Sequence, residues 1–377
     1  MDALMLPSNW QRVRLGDVGK PCMCKRVMKH QTTRYGEIPF YKIGTFGNTA
    51  DAFISKKLFL EYKTKYSFPK KGDILISASG TIGRAVIYDG KPAYFQDSNI
   101  VWIDNDETLV KNDFLFYAYS HVKWNTEHTT ILRLYNDNFR NTLIPLPPLN
   151  EQIAIANILS DVDRYLYSLD ALILKKESVK KALSFELLSQ RKRLKGFNQA
   201  WQRVRLGDIC EIVKGQQINK ISLNNTDKYP VINGGIDFLG YTNKFNVSKN
   251  TIAISEGGTC GYVRFMTSNF WSGGHNYSLQ KISNKVNNLC LYHILKSYEK
   301  DIMKLGVGSG LKNIQLKALK DFEILLPPLN EQSAIANILS ALDHEIASLK
   351  NKKRQFDNIK KALNHDLMSA KIRVLKK

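Results

Sequence analysis

Two stretches of the chain carry the same stripe of apolar letters. After Asn150, the residues Ile155, Leu159, Val162, Leu166, Leu169, Ile173, Leu183 and Leu187 fall at four- and three-residue steps, with Lys176 and Lys180 interrupting them. After Asn330, Ile335, Leu339, Leu342, Ile346, Leu349, Phe356, Leu363 and Leu367 repeat the pattern, interrupted by Lys353 and Lys360. Such steps place apolar side chains on one narrow face, the seam of a coiled coil. A Pro-Pro pair precedes each stretch, Asn150 or Asn330 is the expected N-cap, and no Gly or Pro follows until Gly196 or the chain end. The pattern predicts two helices of about 45 residues, roughly 65 Å long.

A narrow stripe on so long a helix needs a partner. The other copy is the natural one, with self-association between molecules as the alternative. The segment between the helices starts where the first ends and finishes where the second begins. In a parallel pair it would have to bridge roughly 65 Å; in an antiparallel pair those points lie about 10 Å apart. Antiparallel pairing is expected.

The stripes belong to a larger repeat. PPLNEQIAIANILSDVD (147–163) returns as PPLNEQSAIANILSALD (327–343), and WQRVRLGD (10–17) returns unchanged at 201–208. Between these echoes the halves diverge. GDILISASGTIGRAVIY (72–88) and NTIAISEGGTCGYVRF (250–265) each read as strand, glycine turn, strand, with ISASGTIG aligning over ISEGGTCG. IPFYKIGTF (38–46) and DFLGYTNKFNV (237–247) suggest sheet, while DFLFYAYSHV (113–122) and LCLYHILKSYEKDIM (289–303) suggest helix. The expected architecture is α+β with a pseudo-two-fold internal repeat. Mixed α/β domains over 1–148 and 196–328 are joined by two long antiparallel coiled-coil helices over 149–195 and 329–377.

Charge changes the picture most. The chain has 377 residues and a formal net charge of +21. The excess is spread over both mixed domains and both helical tracts rather than gathered in a tail, which points to a surface that cups a polyanion. No long apolar run and no basic-then-apolar leader is present, so the cytoplasm is the expected address, with no membrane partner. Cys22, Cys24, Cys210, Cys260 and Cys290 form no CxxC pair, which leaves His121, His128, His344 and His365 as surface or polar-cluster histidines rather than zinc ligands.

Catalytic fingerprints are missing. Both Pro-Pro pairs read Leu-Pro-Pro-Leu, not the Asn/Asp-Pro-Pro-aromatic turn that holds a base amino group for methylation. No Gly-x-Gly-x-x-Gly opens a helix, and GVGSGLKN (306–313) is glycine spacing of low specificity. Gly19-Lys20 and Gly90-Lys91 are each followed by proline, so no P-loop cradles ATP. Asp51, Glu61 and Lys63 mimic a magnesium-nuclease spacing but have no counterpart in the second half.

Over its whole length the chain resembles the DNA-sequence specificity subunit of type I restriction-modification systems. The resemblance rests on WQRVRLGD opening each half, GDILIS-x-x-GTIG, YPVINGG (229–235) with ISEGGTCGY (254–262), and PPLNEQ-x-AIANILS starting both arms. It implies a non-catalytic subunit with two target-recognition domains, each reading half of a split double-stranded DNA target, with the paired helices as spacer. It implies two modification subunits that bring S-adenosylmethionine, and two restriction/translocase subunits with ATP and magnesium as an optional addition. This chain would hold no cofactor. Contacts to those partners are expected at AIAN (154–157 and 334–337), with core packing as the alternative.

In the first half Lys25, Arg26, Lys29, Arg34, Arg84 and Arg133 are the candidate DNA contacts. In the second they are Lys214, Gln216, Gln217, Lys220, Asn233, Arg264 and Lys312. Arg suits guanine, Lys suits phosphate, and the Gln and Asn amides can pair with an adenine edge. Two rival classes stand beside this one: a self-contained modification or restriction enzyme, and a coiled-coil interaction protein without a nucleic-acid role. Salt separates the last, because phosphate-driven binding weakens steeply with ionic strength.

Overall fold

The computed structural model describes residues 7–124, 127–128 and 132–374, without the side chains of 127, 128 and 132. The chain forms two compact units, Met1–Leu169 with Lys352–Lys377, and Asp170–Asn351. Each takes one mixed domain and a stretch of both long helices.

The first unit runs β1 (Gln11–Arg14), α1 (Leu15–Val18), β2 (Lys20–Met23), β3 (Ile38–Tyr41), β4 (Phe53–Ile54), α2 (Lys56–Lys65), β5 (Ile74–Ser77), β6 (Ala85–Ile87), β7 (Tyr94–Phe95), β8 (Ile100–Asp104), α3 (Asn112–His121), β9 (Glu127–His128), β10 (Leu132–Arg133), α4 (Asn136–Asn141), β11 (Leu143–Leu146) and the start of α5 (Leu149–Leu188). A four-stranded sheet is ordered β2-β8-β5-β6 and a three-stranded one β4-β3-β7. Strand alternation feeds two cores. Ile74, Ile76, Val101 and Ile103 face α3 and the long helices, whereas Leu75, Ile100 and Trp102 face the three-stranded sheet.

The second unit repeats this order. After α5 come β12 (Gln202–Arg205), α6 (Leu206–Ile209), β13 (Glu211–Lys214), β14 (Tyr229–Ile232), β15 (Gly240–Thr242), β16 (Thr251–Ser255), β17 (Val263–Met266), β18 (Trp271–Ser272), β19 (Asn276–Gln280), α7 (Asn288–Ser297), α8 (Glu299–Lys304), β20 (Gly306–Val307), β21 (Asn313–Ile314), α9 (Leu316–Lys320), β22 (Glu323–Leu326) and α10 (Leu329–Met368). Its sheets are ordered β13-β19-β16-β17 and β15-β14-β18. Helix α2 has no second copy, and the helix expected over 289–303 breaks at Tyr298. DFLGYTNKFNV contributes only the short β15.

The repeated words close each unit. WQRVRLGD supplies β1, paired with β11 from Gln11↔Leu146 to Arg14↔Leu143; β12 pairs with β22 in the same register, Gln202↔Leu326 to Arg205↔Glu323. The Trp before each strand reaches the glutamate of PPLNEQ. Trp10 Nε1 donates to Glu151 Oε2 at 3.0 Å, and Arg373 donates to the same carboxylate from Nε at 2.7 Å and Nη2 at 2.9 Å. Trp201 Nε1 meets Glu331 at 3.0 Å, and Arg193 Nε at 3.1 Å. Both glutamates are buried, so the bidentate arginine is what makes the charge tolerable. The neighbouring glutamines anchor loops: Gln152 Oε1 accepts from Lys111 N and Gln332 Oε1 from Asn287 N.

Within each unit the long helices run antiparallel. In the first, Asp163 pairs with Lys360, and the tilted rings of Tyr165 and Phe356 pack with centroids 4.6 Å apart. In the second, Lys180 pairs with Asp343, Lys176 with Glu345 at 2.8 Å and Glu177 with Lys350 at 2.6 Å. The lysines that interrupt the first stripe therefore lie along the seam as interhelical ion pairs. Leu159, Leu166, Leu169, Ile173, Leu339 and Ile346 are buried, and Val162, Leu183, Leu342, Leu349, Phe356 and Leu363 half-buried.

Three expectations need correction. Each long helix has 40 residues rather than about 45. Gln190 (φ 61°) and Ala370 (φ 56°) turn left-handed just past the ends, and that turn precedes the arginine that reaches the buried glutamate. The helices begin at Leu149 and Leu329, one residue ahead of the expected N-caps; Glu151 N and Gln152 N donate to the Pro148 carbonyl, as Gln332 N does to Pro328. In AIAN, Ile155, Ala156, Ile335 and Ala336 are core residues, which leaves Asn157 and Asn337 at the surface. Among the described residues no helix is long and apolar enough to cross a membrane.

Candidate nucleic-acid interface

In the first unit, turns from four parts of the chain meet. Asn99, just before β8, accepts at Oδ1 from Ser79 Oγ at 2.8 Å and from Arg133 Nη2 at 2.9 Å. Gln96 Oε1 accepts from Ile43 N at 3.0 Å, which ties the loop after β3 to the same face. Arg84 reaches the Gly47 carbonyl at 3.4 Å. Gly83 (φ 82°) is required here, since a Cβ would lie 2.0 Å from Trp124 Nε1.

The corresponding turns of the second unit pack backbone to backbone. Gly234 (φ 81°) and Gly258 (φ 68°) face each other, and a Cβ on either would lie within 2.8 Å of the other loop's carbonyl oxygen. Glu256 lies between them and the loop after β18. Lys214 Nζ donates to Glu256 Oε1 at 2.7 Å, Tyr277 OH lies 3.3 Å from the same oxygen, and His275 Nδ1 is 4.0 Å from Oε2. Burial, then the charge and hydrogen bond of Glu256, push the Tyr277 hydroxyl up to about 12, so it keeps its proton, which the Ile314 carbonyl at 3.0 Å and Glu256 Oε1 at 3.3 Å share.

The expected contacts divide between these faces and their rims. Lys25, Lys29 and Arg34 are exposed along the loop after β2, Lys25 over the ring of Tyr66 at 5.1 Å. Arg26 is 3.8 Å from Asp97. Arg84 and Arg133 lie in the glycine-turn face, Arg133 half-buried. In the second unit Gln216 and Gln217 are exposed after β13, and Trp271 Nε1 donates to the Gln216 carbonyl at 2.9 Å. Asn233 Oδ1 accepts from His275 N at 3.0 Å. Arg264 donates to the Ile236 carbonyl and stacks between Phe238 and Tyr262. Lys220 and Lys312 are exposed; burial raises the Cys260 thiol pKa, with Lys312 opposing it.

Asn99, Glu256, His275 and Asn276 lie in these faces and were not among the expected residues. Placing ISASGTIG over ISEGGTCG sets Ala78 against Glu256, a charge inside a glycine turn, and that was the available signal. The nuclease-like residues go elsewhere: Asp51 pairs with Lys42, Glu61 with Lys65, and Lys63 lies over the rings of Phe59 and Phe68. Of the four histidines considered as ligands, His121 and His365 stack at 5.3 Å, His344 is exposed, and the side chain of His128 lies outside the described residues. No group of three or more His, Cys, Asp or Glu among the described residues could hold a metal ion.

The family model described as "Type I restriction modification DNA specificity domain" matches residues 7–176 and again 198–356. The chain is 64% identical over 148 residues to a putative type I restriction enzyme specificity subunit of Haemophilus influenzae. That match covers 39% of this chain and 38% of the relative, well under two thirds of its length. A putative type I restriction enzyme specificity subunit of Methanocaldococcus jannaschii is 28% identical and matches over 98% of this chain and 95% of that one. The crystal structure of the type I restriction-modification system S subunit from M. genitalium superposes with a TM-score of 0.71 at 20% identity, covering 97% of this chain and 98% of that one. That last likeness is one of fold.

Proposed function

This chain belongs to the type I restriction modification DNA specificity family, and on that premise we propose that it reads the DNA target for a type I restriction-modification complex. Each unit's glycine-turn face reads one half of a split target in double-stranded DNA, and the paired helices α5 and α10 set the number of unread base pairs between the halves. Arg84, Arg133, Arg264, Gln216, Gln217 and Asn233 are offered to base edges. Lys25, Arg26, Lys29, Arg34, Lys220 and Lys312 supply phosphate or flanking contacts, while Lys214 is paired with Glu256. The chain carries no chemical step in this reading. Two modification subunits bring S-adenosylmethionine and the methylating site, and two restriction/translocase subunits, where present, bring ATP and magnesium.

One observation carries the proposal: the same closing frame is built twice around two unlike polar faces. A homodimeric reader presents one face twice and suits a palindrome; two unlike faces suit two different half-sites.

Mapping methylated bases in the DNA of cells with and without this chain tests it. The expected result is a bipartite motif with unlike halves that vanishes with the chain. A methylation pattern indifferent to the chain would overturn the reading. Inserting four residues into each long helix adds about 6 Å, which should widen the unread gap by about two base pairs. An unchanged gap would rule out the helices as the spacer.

A further inference from the structure

The repeat supplies an internal control for the charged cluster of the second unit. By sheet register Met23 of β2 faces Val101 of β8, and Ala78 follows β5; the same three places in the second unit hold Lys214, Tyr277 and Glu256. The first unit thus builds this frame position from Met, Val and Ala, so the fold has no need of charge there. The second unit puts a carboxylate in the same place with only about a tenth of its side chain exposed. Its partner Lys214 is more than half exposed, so the pair adds little stability, and a carboxylate that the frame does not need points to a ligand.

A further feature points the same way. Lys214 Nζ engages Oε1 of Glu256, whereas His275 Nδ1 comes only to 4.0 Å of Oε2, which leaves that oxygen's lone pairs to a ligand. A carboxylate is acceptor-only and suits an exocyclic amino group presented in the major groove.

We propose that Glu256, held by Lys214 and Tyr277, is a base-reading carboxylate of the second unit that accepts a hydrogen bond from the exocyclic amino group of one cytosine or adenine in its half of the target. The inference rests on the target-reading function proposed above.

The test uses the full chain with its modification subunits in cells, as wild type, as Glu256→Gln, and as the triple variant Lys214→Met, Glu256→Ala, Tyr277→Val, which copies the first unit's residues. Methylated sites are read at base resolution. Both variants should relax one position of the second half-site, where the wild type demands cytosine or adenine, by roughly five- to a hundredfold. The first half-site and the gap should stay as they were, and duplexes lacking the amino group of cytosine or of adenine at that position identify the base. An unchanged second half-site in either methylating variant overturns the proposal, as does relaxation in the first half-site. If both variants lose all methylation, the purified complexes are bound to duplexes carrying one half-site each. Loss confined to the second half-site sustains the proposal, and loss at both overturns it. A wild type without any bipartite motif would instead sink the function on which the inference rests.

Discussion

Glu151 and Glu331 hold the same tryptophan and the same arginine in the two units, through bonds that agree to within a few tenths of an ångström. A few strands away, Ala78 and Glu256 occupy one position of one frame and share no chemistry. The contrast separates two kinds of constraint. A buried carboxylate that closes a strand pair against two helices must find every partner in place, so one solution serves twice. A residue on a glycine turn that closes no strand pair is constrained only by its own neighbours, so the two units differ there.

The strongest way to break this comparison is to remove the closing glutamate. Glu151→Ala and Glu331→Ala each strand a guanidinium and an indole N–H, and each should cost about 3–5 kcal/mol. Denaturant unfolding followed unit by unit, by hydrogen exchange, checks it. A large cost in one unit and none in the other would refute the equivalence of the frames.

Acid should discriminate between the units where the frame itself differs. Tyr117 of α3 donates to Asp163 at 2.8 Å, whereas the matching His293 of α7 lies 3.3 Å from Ser340 Oγ. Burial, against the opposing pull of Asp343, lowers the His293 pKa to about 4. Its folded pKa is below its unfolded value, so the unfolded chain binds more protons between about pH 6.5 and 4. Stability contributed by the neutral ring is present above that window and is lost as pH falls through it, on the order of 2–3 kcal/mol. His293→Tyr should flatten the loss measured by thermal unfolding from pH 7 to 4.5, and an equal loss in the variant would assign the acid sensitivity elsewhere.

The smallest effect concerns the seam. Lys180 with Asp343 and Lys360 with Asp163 are repeats of one ion pair, each about a third exposed. Lys180→Met and Lys360→Met should each change stability by less than about 1 kcal/mol. Unequal changes would show that the two halves of the seam are packed differently.

The long helices were the most legible part of the chain, because one apolar stripe at Leu159, Leu166 and Ile173 fixes both the helix and the need for a partner. Their ends were less so. The stop at Leu188 comes from Arg193 reaching Glu331, a contact across 138 residues that no local pattern displays. The same distance in sequence hid why WQRVRLGD and PPLNEQ recur together: Trp10 and Glu151 touch only after folding. In the candidate interface, single-letter chemistry picked out exposed Lys25 and Gln216 but passed over Glu256, since its significance appears only when its neighbours Lys214, His275 and Tyr277 come in from other strands.

The way the units are assembled also bears on what each needs in order to close. Asp170–Asn351 is one uninterrupted piece, while the other unit joins Met1–Leu169 to Lys352–Lys377. The second unit therefore holds all its residues in one piece, whereas in the first the strands can be in place while Glu151 is still without Arg373. A fragment ending at Asn351 should keep a protease-resistant second unit beside a labile first one.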